Sequence, residues 1–167
     1  MNLRTTRIAS IGVGAVLLAA VFAGCGGSDD DSGALSKEDL IAQADEICAD
    51  SIGESQTREA DFTAAIEAND LEAAADVVAE NGEQISEGID EFEALEPPEE
   101  DQETIDEFLA LSREQVELSA ELAEAIRADD GAAVEEISAE GDAIEAESDA
   151  LADEYGFVDC GSAGDEA

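Results

Sequence analysis

The chain has 167 residues and carries 46 aspartates and glutamates against six lysines and arginines, a formal net charge of −40. Such a field argues against nucleic acid or anionic headgroups as partners, because phosphate contacts need Lys and Arg. There is no histidine and no tryptophan, which removes histidine-based catalysis, histidine metal ligation and indole stacking platforms.

The first 25 residues say most about where the protein resides. Arg4 and Arg7 supply a positive start, and Ile8 to Ala23 form an uncharged apolar run. The run closes on Phe22-Ala23-Gly24-Cys25 and turns abruptly into Gly26-Gly27-Ser28-Asp29-Asp30-Asp31. This pattern predicts a lipoprotein signal peptide over 1–24, with lipid on Cys25 holding the protein at the outer face of the cell membrane. Phe22 occupies the position where leucine is more usual. An ordinary secretory signal would leave no lipid. A retained anchor would need about 20 apolar residues to cross the bilayer, and Ile8 to Ala23 supplies sixteen.

Residues 25–34 read as the lipidated cysteine and a flexible tether, with an average reach of about 15–18 Å. The remainder of the chain has the size of a single domain with a core of its own. Its basic residues are Lys37, Arg58, Arg113 and Arg127.

From Ser36 the pattern is helical. Ser36-Lys37-Glu38-Asp39 offers a polar N-cap and acids in the first turn, where the helix dipole favours them. Leu40, Ala44, Ile47, Cys48, Ser51, Ile52, Phe62 and Ile66 then recur at helical spacing. This first helix is expected to reach about Ala68, with a weak point near Gly53. Asn69-Asp70 marks a turn and an N-cap. The second helix carries Leu71, Ala74, Val78, Asn81, Ile85, Gly88, Phe92 and Leu95 in steps of three and four, and Pro97-Pro98 is expected to end it. A third helix is expected from about Glu99, with Ile105, Phe108, Leu109, Ser112, Val116, Ser119, Leu122, Ala123 and Ile126 on one side. Asp129-Asp130-Gly131 breaks it. The fourth helix carries Val134, Ile137, Gly141, Ile144, Ser148, Leu151 and Tyr155 and stops near Gly156, leaving a short segment to Cys160. Residues 162–167 read as a disordered C-terminal tail.

Four such helices joined by short turns predict an all-α domain over 35–161, an up-down-up-down four-helix bundle. With Cys25 assigned to lipid, Cys48 and Cys160 remain, and export favours one structural disulfide between them. The alternative, a redox-active or metal-binding pair, has no CxxC spacing to support it. In the up-down topology the fourth helix ends beside the start of the first, so Cys160 can return to Cys48. A reversed fourth helix would separate them. Closing a loop of roughly 110 residues stabilises by about 4–5 kcal/mol in the chain-entropy model.

A faint internal repeat accompanies this plan. Ala65-Ile66-Glu67-Ala68-Asn69-Asp70 matches Ala125-Ile126-Arg127-Ala128-Asp129-Asp130 at an offset of 60 residues. Each half would then be one helical hairpin, although Ala- and Glu-rich helices also generate such matches by chance.

No motif carries recognisable chemistry. A calcium loop with its glycine at Gly131 would need oxygen ligands at Ile126, Ala128 and Asp130, and only the last qualifies. Carboxylate pairs are inevitable among 46 acids and read as a solvated face. Tyr155-Gly156-Phe157 reads as the aromatic end of the core plus a C-cap glycine, with ligand stacking on Tyr155 the lesser reading. No catalytic residue, metal site or cofactor is expected. One feature is less ordinary: Asn81, Gly88, Ser112, Ser119, Gly141 and Ser148 occupy seam positions where leucine or isoleucine would fill a core. Close helix approach is the expected reason, and an internal gap for a small apolar or amphiphilic ligand is the alternative.

The Gly24-Cys25-Gly26-Gly27 junction, the Ala44-Asp45-Glu46-Ile47-Cys48-Ala49 stretch and the closing Tyr155-Gly156-Phe157-Val158-Asp159-Cys160-Gly161 resemble small envelope lipoproteins of high-GC actinobacteria with Ala/Glu-rich helical domains. The resemblance implies a disulfide-closed envelope lipoprotein and brings no activity with it. The expected function is therefore non-enzymatic: a membrane-anchored binding or structural interaction module of the cell envelope, with a protein partner of unspecified identity. The alternative is a carrier of a small hydrophobic ligand. The first requires a helix face with unpaired apolar residues, the second a continuous internal cavity. Acidity as an adaptation to high salt is a further reading.

Overall fold

A computed structural model describes residues 33–162 and 164 of the chain. The expected signal peptide, the lipidation site Cys25 and most of the tether lie outside the described residues, as do Ala163 and residues 165–167. Within them the fold is all-α: α1 (Lys37–Glu67), α2 (Leu71–Glu93), α3 (Gln102–Arg127) and α4 (Gly131–Tyr155). The compact unit runs from Ser32 to Ala167. Its core, caps and disulfide all fall inside that stretch, so it has what an independently folding domain needs.

Local chemistry sets most helix ends. Ser36 caps α1: its hydroxyl oxygen accepts the Asp39 N–H at 3.2 Å and donates to the Asp39 carboxylate at 2.7 Å. From there α1 runs unbroken for 31 residues, roughly 46 Å. It passes through Gly53, where a weak point was expected, and the Thr57 hydroxyl donates back to the Gly53 carbonyl at 3.2 Å. At the far end of α4, Gly156 adopts φ 109, a left-handed conformation suited to glycine, and the N–H groups of Gly156 and Phe157 both reach the Ala152 carbonyl.

The two tight turns are the same turn. Asn69 and Asp129 both sit at φ 54. Asp70 and Asp130 follow as N-caps, accepting from Ala73 N at 3.2 Å and Ala133 N at 3.1 Å. The N–H of Asp70 returns to Ala65 O, and that of Asp130 to Ala125 O. The 60-residue offset in sequence is thus matched bond for bond. Asn and Asp tolerate the left-handed region better than other non-glycine residues, which is why these letters recur.

The second connection departs from expectation. α2 ends at Glu93 rather than at the prolines, and α3 begins at Gln102 rather than Glu99. The last turn of α2 tightens, with Leu95 N bonding Phe92 O at 3.0 Å. Glu96, which precedes proline and is pushed toward extended backbone, offers its carbonyl to Leu35 N at 2.7 Å. A turn then closes from Asp101 N to Pro98 O. Asp101 makes no side-chain cap bond to α3; its carboxylate instead accepts the Tyr155 hydroxyl at 2.8 Å.

Contacts between helix ends set the packing order. Leu35 meets Glu96, Arg127 meets Asp76 at 2.7 Å and Glu72 at 3.6 Å, and Tyr155 meets Asp101. Each consecutive pair of helices therefore runs antiparallel, and α1 packs on α2, α2 on α3, and α3 on α4. The core divides in two. One cluster joins the start of α1 and α3 to the end of α2 and α4, through Leu40, Ala44, Phe92, Phe108, Ala152, Tyr155 and Phe157. Its rings pack edge-on or tilted, Phe92 to Phe157 at 5.8 Å and Tyr155 to Phe157 at 4.8 Å between centroids. The other gathers Ala65, Ala74, Ala75, Ala123 and Ile126 at the opposite end, backed by Phe62, Leu71 and Val134.

After α4 the chain folds back across α1. Cys160 bonds Cys48, with Cα atoms 5.1 Å apart, as expected from the cysteine count. Ser162, assigned by sequence to a disordered tail, donates its hydroxyl to the Asp153 carboxylate at 2.8 Å, and Gly161 and Gly164 are buried.

Candidate ligand groove

Between the two clusters the helices carry small and polar residues, and there the interior opens into a groove of about 540 Å³. Its lower end rests on Phe92, Phe108 and Leu109 of the larger cluster. Ile47, Ser51 and Ile52 of α1, Ile85 of α2, Leu118 and Leu122 of α3, and Ile137 of α4 form its sides. The helix order explains the opening. Every sequential pair packs backbone to backbone, whereas the Cα traces of α1 and α4 nowhere come within 8 Å. The disulfide and the returning tail join α1 to the end of α4 at one end only.

The seam glycines differ in what surrounds them. A Cβ added at Gly88 would stand 3.1 Å from Ser51 Oγ and 3.7 Å from Ile47 Cγ2, so Gly88 lets α1 approach α2 closely. Gly82, which the three-four spacing skips in favour of its neighbour Asn81, has the same role toward α3: a Cβ there would meet Ser119 Cβ at 3.1 Å. At Gly141 nothing lies within 4 Å. Close packing, the expected reason for the whole seam, therefore holds on α1–α2 and α2–α3 and fails on α4, where Gly141 borders open space.

The seam serines also differ. Ser112 and Ser119 are satisfied within α3, donating to Phe108 O at 3.0 Å and Gln115 O at 2.9 Å. Ser148 is only 7% exposed and lines the groove. Asp142, Glu145, Asp149 and Asp159 bring carboxylates to the wall formed by α4 and the tail.

The other sequence candidates find structural roles. Asp129, Asp130 and Gly131 form the second tight turn and its N-cap. Tyr155 is buried in the aromatic cluster, with Lys37 Nζ 3.9 Å above its ring, which leaves no free face for a ligand. Among the described residues no group of three or more metal-ligating side chains is assembled, and no helix is long and apolar enough to cross a membrane. Compared with protein-family models, curated proteins and solved structures, the chain finds no match.

Proposed function

We propose that the protein is an extracytoplasmic lipoprotein, anchored through Cys25, whose bundle carries a small apolar or amphiphilic ligand in the groove between α1 and α4. The observation that carries this reading is the groove itself: about 540 Å³, within the range of small-molecule sites, bordered by apolar side chains together with serines and carboxylates. On sequence alone it is the lesser of two readings. What moves it ahead is the contrast with the surface. The large apolar side chains exposed among the described residues are Ile66 and Val158. Val158 sits beside Asp45, and Asp45 lies about 31 Å along α1 from Ile66, so the two form no common patch for a protein partner.

No chemical step is assigned to the site; its work is to bind and release. A titration of the Ser32–Ala167 domain with N-phenylnaphthylamine, a neutral apolar fluorophore, tests the reading. Saturable binding at one site per chain, lost in Gly141→Leu, is the expected result. Absence of saturable binding, or binding indifferent to Gly141→Leu, would count against it.

A further inference from the structure

We infer that the groove selects a single unbranched aliphatic chain, laid along the bundle axis, over a compact ring system of similar bulk. This rests on the ligand-carrier reading and adds the shape of the ligand. The lining follows one strip of each helix for several turns: Asn81 to Phe92 on α2, Phe108 to Leu122 on α3 and Ile137 to Asp149 on α4. At the helical rise these stretches measure about 17, about 21 and about 18 Å. Spread over about 18 Å, a volume of about 540 Å³ leaves a mean cross-section of about 30 Å². The groove is therefore about three times as long as it is wide.

Its ends and its flank are built differently. Phe92 and Phe108, members of the larger cluster, border the lower end. Leu122, packed against the alanine-rich cluster, borders the upper end. Entry is left to the flank between α1 and α4, whose Cα traces nowhere come within 8 Å. Between the ends, Ile85 and Leu118 give the floor apolar surface. Gly141 keeps the passage clear about 6 Å from Ile137, since a Cβ added there would meet nothing within 4 Å. A chain entering from the side buries its methylenes one after another against this floor, and each adds to affinity. A cage-like ring system with as many carbons fills one part of the length and forgoes the contacts along the rest.

Calorimetric titration of the Ser32–Ala167 domain compares straight-chain hexanol, octanol and decanol with adamantanol, which has the carbon count of decanol in a compact cage. All carry the same uncharged hydroxyl, so the chain's net charge of −40 does not favour one over another. One straight-chain alcohol per protein chain is expected, with affinity rising by up to roughly fourfold per methylene. Adamantanol is expected to fall below the line that partition from water sets for the straight-chain series. Gly141→Leu, which puts a side chain across the passage, should bring decanol down to the affinity of hexanol or lower. If adamantanol lies on or above that line, or affinity does not grow with chain length, the chain selection is wrong, and binding that still depends on Gly141 keeps the carrier reading. If Gly141→Leu leaves the straight-chain series unchanged, those alcohols bind elsewhere and the inference fails. If neither shape binds in a Gly141-dependent way, both readings fall together. Thermal melts verify that Gly141→Leu is folded, and the comparison of shapes in the unaltered chain decides the inference without it.

Discussion

The Asp45 carboxylate accepts the backbone N–H of Cys160 at 3.3 Å, one helical turn before Cys48 receives the sulfur of that same residue. The same oxygen, Oδ1, also takes the N–H groups of Val158 at 2.9 Å and Asp159 at 3.0 Å. One aspartate on α1 thus gathers three consecutive amides into an anion-binding turn. The tail that borders the groove is held covalently and electrostatically at neighbouring points.

Removing the clasp should therefore loosen the tail before it unfolds the bundle. Asp45→Ala is expected to cost about 1.5–3 kcal/mol, the range for hydrogen bonds to a charged group. Amide hydrogen exchange at Val158, Asp159 and Cys160 should accelerate more than exchange within α2 or α3. Uniform acceleration across all four helices would contradict a local role.

The disulfide acts on a larger scale, because it closes a sequence separation of 112 residues. Cys48→Ser with Cys160→Ser should lower unfolding free energy by about 4–5 kcal/mol in the chain-entropy model, measured by urea titration. A change below about 1 kcal/mol would mean that the clasp and the aromatic cluster already hold the tail in place.

Two glycines in similar helical settings should respond with opposite signs. Gly141→Ala removes a helix-interior glycine next to open space and should stabilise by about 0.5–1 kcal/mol. Gly82→Ala places its Cβ 3.1 Å from Ser119 Cβ, an atom fixed to the α3 backbone, and should destabilise by forcing α2 and α3 apart. Thermal melts of the two variants decide the matter; shifts of the same sign would contradict the described packing.

The chain's one tyrosine gives a pH signature. Burial first, and donation to Asp101 second, push the Tyr155 phenol well above its ordinary 10.0. Below pH 10 the phenol is neutral in both folded and unfolded chains. Above it the unfolded chain releases the proton while the folded chain retains it, so the folded state binds more protons and stability falls as pH rises. Tyr155→Phe should remove this alkaline loss and, at neutral pH, cost about 1 kcal/mol. Phenolate absorbance rising near pH 10 in the folded protein would contradict the burial.

Much of the fold was legible because its signals are local. Ser36, Asp70, Asp130 and Gly156 announce helix ends by side-chain chemistry or backbone freedom within one turn, and the cysteine arithmetic left one pairing inside the domain. The end of α2 was not legible in the same way. Its last residues yield to a tertiary hydrogen bond between Leu35 and Glu96 and to the attachment of Asp101 to Tyr155, partners far away in sequence. The groove was half legible. Small seam residues mark positions where a core is not filled, but Gly82, Gly88 and Gly141 are the same letter with different neighbours. Helical phase gives the facing side and not the distance to the next helix. Asp45 carried no mark that distinguishes it from the other acids of an acidic surface; only its position three residues before Cys48 hinted at a shared task.

Native mass spectrometry of the protein, gently extracted from its own membranes, tests the carrier account most directly. The account predicts a lipidated chain with a further noncovalent mass on the order of a few hundred daltons, the size class of a small-molecule site, and loss of that mass in Gly141→Leu. A lipidated chain with no added mass, or an added mass unchanged in Gly141→Leu, would contradict it.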